Sequence, residues 1–200
     1  MDLTKPMTHL VKRRYEYTFD PDRQQLRNLE ETLEAVRAVY NWSLSVFQRE
    51  WRAREEKVTY AEISARLTKW KNQPANRWVK DYSSVPLQQI ARQLHTEYHA
   101  FLTGRGREPV PREHGEQVRL VYSRAGYYLR GREVKLAKHD HPLEIRWGLE
   151  RPNRDDITSI TVIREGEERW RLWIVAEEFI EVPRQKPPEC GECGRLLDEE

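Results

Sequence analysis

The sequence predicts an α+β fold, an antiparallel β-barrel or sandwich carrying an inserted helical bundle. Three observations predict it. Apolar and polar residues alternate near the N-terminus and again from Val118 onward, the signature of half-buried strands. Between these stretches the apolar residues recur every three or four positions, as on amphipathic helices. The N-terminal strand needs partners, and the strands after Val118 are the ones available to it.

Leu10 to Asp20 reads as the first strand, with Tyr15, Tyr17 and Phe19 on one face and Arg14, Glu16 and Thr18 on the other. Pro21 and Asp22 end the alternation and open a helix. Leu26, Leu29, Leu33, Val36, Tyr40, Leu44, Phe47 and Trp51 form one apolar stripe along it. Thr59 and Glu62 have capping-box spacing and start a second helix, with Ile63, Leu67 and Trp70 facing inward. Ser84 reads as the N-cap of a third helix with Pro86 in its first turn. Leu87, Ile90, Leu94, Tyr98 and Phe101 line that helix, and Gly104 ends it.

A basic linker follows, from Gly104 to Arg112, and period two then returns. Val118, Leu120 and Tyr122 mark one strand. Tyr128-Leu129 and Val134 to Leu136 flank Arg130-Gly131-Arg132 as a hairpin. Leu143, Ile145 and Trp147 suggest another strand, and Ile160 to Val162 with Trp170 to Ile174 a hairpin around Gly166. The expected division is residues 1–20 for the first barrel strand, 21–103 for the inserted bundle, 104–182 for the rest of the barrel and 183–200 for a linker and tail.

Two hundred residues suffice for one or two domains. Net charge is only +2, but from Thr103 to Lys138 there are nine Lys/Arg against four Asp/Glu. Tyr122, Tyr127 and Tyr128 interleave with these cations, a pattern that suits a phosphate-tracking surface with stacking partners. No apolar run approaches the length of a membrane span, and the N-terminus lacks the apolar stretch of a signal peptide, so a soluble cytoplasmic protein is expected. Asp155-Asp156 and Glu177-Glu178 are the adjacent acid pairs before the tail; neither pair has the geometry that two-metal chemistry needs, and no catalytic residue is assigned. His139-Asp140-His141 reads as a solvated turn. Cys190 and Cys193 can supply two zinc ligands of the four a structural site requires, so zinc enters only if other ligands join them; no other cofactor is expected.

Taken in order, several segments resemble the TnpB family, the transposon-encoded RNA-guided nucleases related to the type V CRISPR effectors. Arg37 to Leu44 is similar to the family's R-x-V-Y-N-W-x-L helix, Thr59 to Thr68 to its second helix, and Trp78-Val79 with Leu87 to Gln89 to the approach and start of its third. Pro109 to Arg112 stands at its F-P-R-F-K turn in altered form. Val134 to Lys138 resembles its K-L-P-K strand, and Ile160 to Leu172 its final hairpin. The resemblance implies a wedge-type barrel with an inserted recognition bundle, which binds a guide RNA scaffold and reads a short duplex motif beside the target. Carried over by position, the motif-reading residues are Tyr60 and Ser64, Ser84 and Gln88, and Ser123 and Arg124.

The family's RuvC nuclease opens with a G-I-D-L-G-like strand, whereas Val182 is followed here by Pro183 to Pro188. Cys190-Gly191-Glu192-Cys193 resembles the first knuckle of the family's zinc ribbon. The expected function is therefore guide RNA and double-stranded DNA binding without cleavage, with no membrane role. Such a chain could act as a repressor, a guide-RNA-binding remnant or a competitor of an intact relative. Two alternatives stay open: part of an RNA-guided endonuclease whose RuvC domain is deleted from this chain or supplied by a separate nuclease subunit, and a protein-interaction module.

Overall fold

In the computed structural model, residues 7–55, 57–115, 118–166 and 169–182 are described. Among the described residues three α-helices and seven strands follow in the order β1 (Met7–Phe19), α1 (Arg23–Arg54), α2 (Tyr60–Trp70), α3 (Ser84–Leu102), β2 (Arg119–Ser123), β3 (Tyr127–Arg130), β4 (Glu133–Leu136), β5 (Leu143–Glu144), β6 (Ile157–Glu165) and β7 (Arg169–Val182). The chain divides into two compact units, Met1–Arg13 with Glu177–Glu200, and Arg14–Ala176. In the described part of the first, Lys12 pairs with Glu177 at 3.0 Å, and Leu10, Phe179 and Ile180 are exposed.

Within the second unit each helix starts where its side chains satisfy the free N–H groups of the first turn. Asp22 caps α1, and Gln25 reaches back to the Asp22 N–H at 2.8 Å. With no glycine or proline between Arg23 and Arg54, nothing breaks α1 along its 32 residues. Thr59 and Glu62 make the expected box on α2. The cap of α3 is Ser83 rather than Ser84, with its hydroxyl accepting from the Val85 N–H at 3.3 Å, so Ser84 is the first helical residue. The reason lies in the backbone: Ser83 is extended and buried, while Ser84 has already turned into the helix. A 3-10 turn, Pro74–Asp81, joins α2 to α3 and buries Val79; the sequence pattern had shown only its tryptophan and valine.

Aromatic pairs hold the helices together. Trp42 of α1 stacks on Trp70 of α2 at 5.0 Å, and Phe47 of α1 on Tyr98 of α3 at 5.2 Å. Such pairs contribute about 1 kcal/mol beyond the area they bury. Asn41, beside them, fastens the basic linker. Its amide donates to the Arg112 carbonyl at 2.9 Å and accepts from the Arg112 N–H at 2.8 Å, while the Arg112 guanidinium covers Tyr40 at 3.9 Å.

The strands form two sheets, a four-stranded one of order β1-β7-β6-β2 and a three-stranded one of order β3-β4-β5. The α+β class and the antiparallel sheets are as expected; among the described residues no closed barrel is found, and one bridge, Thr18 to Arg146, links the two sheets. The strand expected over Leu143 to Trp147 is split: Leu143–Glu144 pairs with β4, and Arg146 alone bridges to Thr18 of β1. β6 is central, and Ile160, Thr161, Val162 and Ile163 are all buried. Gly131, at φ 58°, occupies the two-residue hairpin turn between β3 and β4. Side chains of α1, α3 and both sheets share one core.

That core holds a polar contact the sequence did not suggest. His139 is buried, with Nε2 at 3.2 Å from the Tyr122 hydroxyl and 3.4 Å from Thr32 Oγ1 of α1. The solvated reading of His139 is therefore corrected. Tyr122 is also fully buried, which removes it from any stacking surface. Both follow from register: Leu120 and Tyr122 share the inward face of β2, and the turn after β4 folds His139 over it.

Candidate nucleic-acid interface

The six candidate residues come from three segments. Tyr60 and Ser64 stand one turn apart on α2, and Ser84 and Gln88 one turn apart at the start of α3. Ser123 ends β2, paired with Ser159, and Arg124 opens the 3-10 turn Arg124–Gly126.

The first two segments meet directly. The Tyr60 hydroxyl donates to Gln88 Oε1 at 2.9 Å. Arg92, one turn beyond Gln88, lies over the Tyr60 ring at 4.6 Å, and His95 meets its edge at 6.5 Å. Both Tyr60 and Gln88 are half-buried, so the pair is held yet reachable. A carboxamide oxygen has two lone pairs. The tyrosine uses one of them, leaving the other and the amide NH2 for a bidentate contact, which is the pairing glutamine makes with adenine.

The third segment packs against the start of α3 through Gly126. A Cβ on Gly126 would sit 2.9 Å from Val85 Cγ1 and 3.0 Å from Tyr122 Cδ1. Contacts that short would force the Val85 or Tyr122 side chain to shift, so the missing side chain lets this turn lie against Val85, next to Ser84, without displacing either. Arg124 is exposed on the same turn, and its guanidinium donates to the Asp155 carbonyl. Ser84 is exposed, whereas Ser64 and Ser123 are half-buried. Ser64 uses its carbonyl to accept from the Thr68 hydroxyl at 3.2 Å.

Arg92, His95 and Arg154 were missed as neighbours of these residues. The spacing of Arg92 from Gln88 was available in the sequence as an i, i+4 pair. Nothing in the sequence links Arg154 to Tyr128, over whose ring it lies at 4.8 Å. His95 is held below its ordinary pKa by burial and then by neighbouring His99, which keeps it neutral near pH 7. Among the described residues no group of three or more His, Cys, Asp or Glu side chains is placed to hold a metal ion. Cys190 and Cys193 lie outside the described residues. No helix among the described residues is long and apolar enough to cross a membrane.

Comparison with known proteins adds three findings. A family model described as a helix-turn-helix domain, HTH_OrfB_IS605, matches residues 7–57. In this structure those residues form β1 and the single uninterrupted helix α1. The chain is 34% identical over 175 residues to the "Putative RNA-guided DNA endonuclease" of Streptomyces pristinaespiralis, covering 87% of this chain and 44% of that protein. It is 22% identical over 174 residues to the "Putative RNA-guided DNA endonuclease InsQ" of Escherichia coli (strain K12), covering 84% of this chain and 41% of that protein. The chain thus spans less than half the length of these relatives.

Proposed function

Because the chain is, over most of its length, a relative of proteins named putative RNA-guided DNA endonucleases, we propose that it is a nucleic-acid-binding module that holds a guide RNA scaffold and reads a short duplex motif beside the target. The observation that carries this reading is the Tyr60–Gln88 contact between two helices, 28 residues apart in sequence, with Arg92 stacked on the tyrosine. It presets the glutamine amide before any base arrives. Preorganisation of this kind lowers the entropic cost of a polar contact. Arg124, exposed on the turn beside α3, extends the surface with a cation that suits either a phosphate or a guanine edge.

The test is filter binding of guide-type RNA and of duplex DNA across a salt series. Contacts to phosphates release counterions, so the affinity should fall by about a thousandfold or more between 50 and 200 mM salt if six or more phosphates are engaged. Weak binding that ignores salt would contradict the reading.

A second reading is favoured by one observation, the 44% and 41% coverage of the relatives. In it, these residues serve recognition within an RNA-guided endonuclease whose RuvC chemistry comes from other residues or a separate chain. Guide-dependent cleavage on adding a separately expressed RuvC segment of a relative would support it. Cleavage independent of this chain would remove it.

A further inference from the structure

Beside the candidate interface lies a concavity of about 470 Å³ lined by Arg124, Tyr127, Tyr128, Leu129, Arg154 and Asp155. Its chemistry is that of a nucleotide subsite. Tyr128 is 53% exposed, the only tyrosine among the exposed large hydrophobics of the described residues. It stands on β3 directly opposite Lys135 of β4, so tyrosine and lysine share the outward face of that hairpin. Arg154 lies over the Tyr128 ring at 4.8 Å and, like Lys135, has no ion-pair partner among the described residues. Tyr127 is fixed as a wall, its hydroxyl donating to the Ile157 carbonyl at 3.0 Å. Arg124 is steered in by its bond to the Asp155 carbonyl, a contact that leaves its positive charge unneutralised. The Asp155 carboxylate is the one acidic group in the lining, against two guanidiniums.

A half-exposed tyrosine ring, one face of it under Arg154, and guanidiniums without an ion-pair partner among the described residues match the two halves of a nucleotide. A base stacks on the ring with little regard to its identity, and the cations take the phosphate. We propose that this concavity accepts an unpaired nucleotide of the bound nucleic acid, its base on Tyr128 and its phosphate between Arg154 and Arg124. The proposal rests on the nucleic-acid reading given above and adds to it a single-strand site distinct from the Tyr60–Gln88 contact.

The test uses the full chain with single-stranded RNA and DNA oligonucleotides carrying 2-aminopurine, and with a fully paired duplex in parallel. Binding of either single strand by the wild-type protein should quench the 2-aminopurine. Tyr128→Ala should lose the quenching and about tenfold in single-strand affinity. Tyr128→Trp should keep both, and Arg154→Ala should keep the quenching but lower affinity and salt sensitivity. A loss on RNA alone identifies the guide as the source of the nucleotide, and a loss on DNA alone the target. If Tyr128→Ala binds single strands as the wild type does while the wild type binds duplex, this site is refuted and the wider reading stands. If the wild type binds no nucleic acid, both fall.

Discussion

The hydroxyl of Tyr60 at the start of α2 donates to the side-chain oxygen of Gln88 in the second turn of α3, at 2.9 Å. Tyr60→Phe removes that one hydrogen bond and keeps the ring beneath Arg92. The stability cost is expected to be about 1 kcal/mol or less, since the pair is only half-buried. Affinity for a preferred duplex should fall more than affinity for an unrelated one. Equal losses on both duplexes, measured by titration, would remove the preset glutamine from the reading.

Gly126 is the second point of control. Gly126→Ala forces a methyl against Val85 and Tyr122, and β-branched Val85 has little freedom to yield. A cost of about 1–3 kcal/mol in urea unfolding is expected from overpacking. Adding Val85→Ala should recover part of it, because the methyl then enters the space that the valine leaves. A double variant no better than the sum of the two singles would show that the turn does not depend on this contact.

His139 sets a pH dependence. Burial, against a smaller upward pull from Asp140, brings its pKa from 6.5 down to about 4. Between those values the unfolded chain binds a proton that the folded chain does not. The stabilising effect of a neutral His139 is therefore whole above about pH 6.5 and is lost as pH falls toward 4, by up to about 3 kcal/mol. His139→Gln retains a polar partner for Tyr122 and cannot titrate. Its unfolding free energy should depend less on pH between 6.5 and 4 than that of the wild type. Parallel curves for the two proteins would contradict the buried, neutral imidazole.

Asn41 fastens the linker through two hydrogen bonds to the backbone of Arg112. Asn41→Ala should cost about 1–3 kcal/mol, since it leaves both backbone groups without the amide. Amide exchange around Arg112 should accelerate while α1 stays protected. Unchanged exchange at the linker would place the clamp elsewhere.

Much of this architecture was legible in the residues. The 3.6-residue stripes from Leu26 to Trp51 and from Leu87 to Phe101 lie on α1 and α3, and the Thr59–Glu62 box starts α2. Other features were not legible because they depend on tertiary contacts. His139 sits in a polar triplet whose other two members are exposed, and its own burial depends on contacts with Tyr122 of β2 and Thr32 of α1. Tyr122 was read with the basic residues around it, yet its inward register on β2 decides its fate. The expected Leu143–Trp147 strand is split between β5 and a bridge at Arg146, and the length of a strand depends on pairing that periodicity does not encode. At the candidate interface the resemblance supplied Tyr60 and Gln88, and the structure supplied their contact. Arg154 could not be found from sequence, because a cation over an aromatic ring 26 residues away leaves no periodic trace.

The most direct measurement is selection from a randomised duplex library by the wild-type chain and by Gln88→Ala side by side, with guide-type RNA present. A reader built on the Tyr60–Gln88 pair should enrich a short motif, and Gln88→Ala should relax the preference at one position of that motif while leaving its other positions in place. The same motif from both proteins, or no enrichment by the wild type, would contradict it.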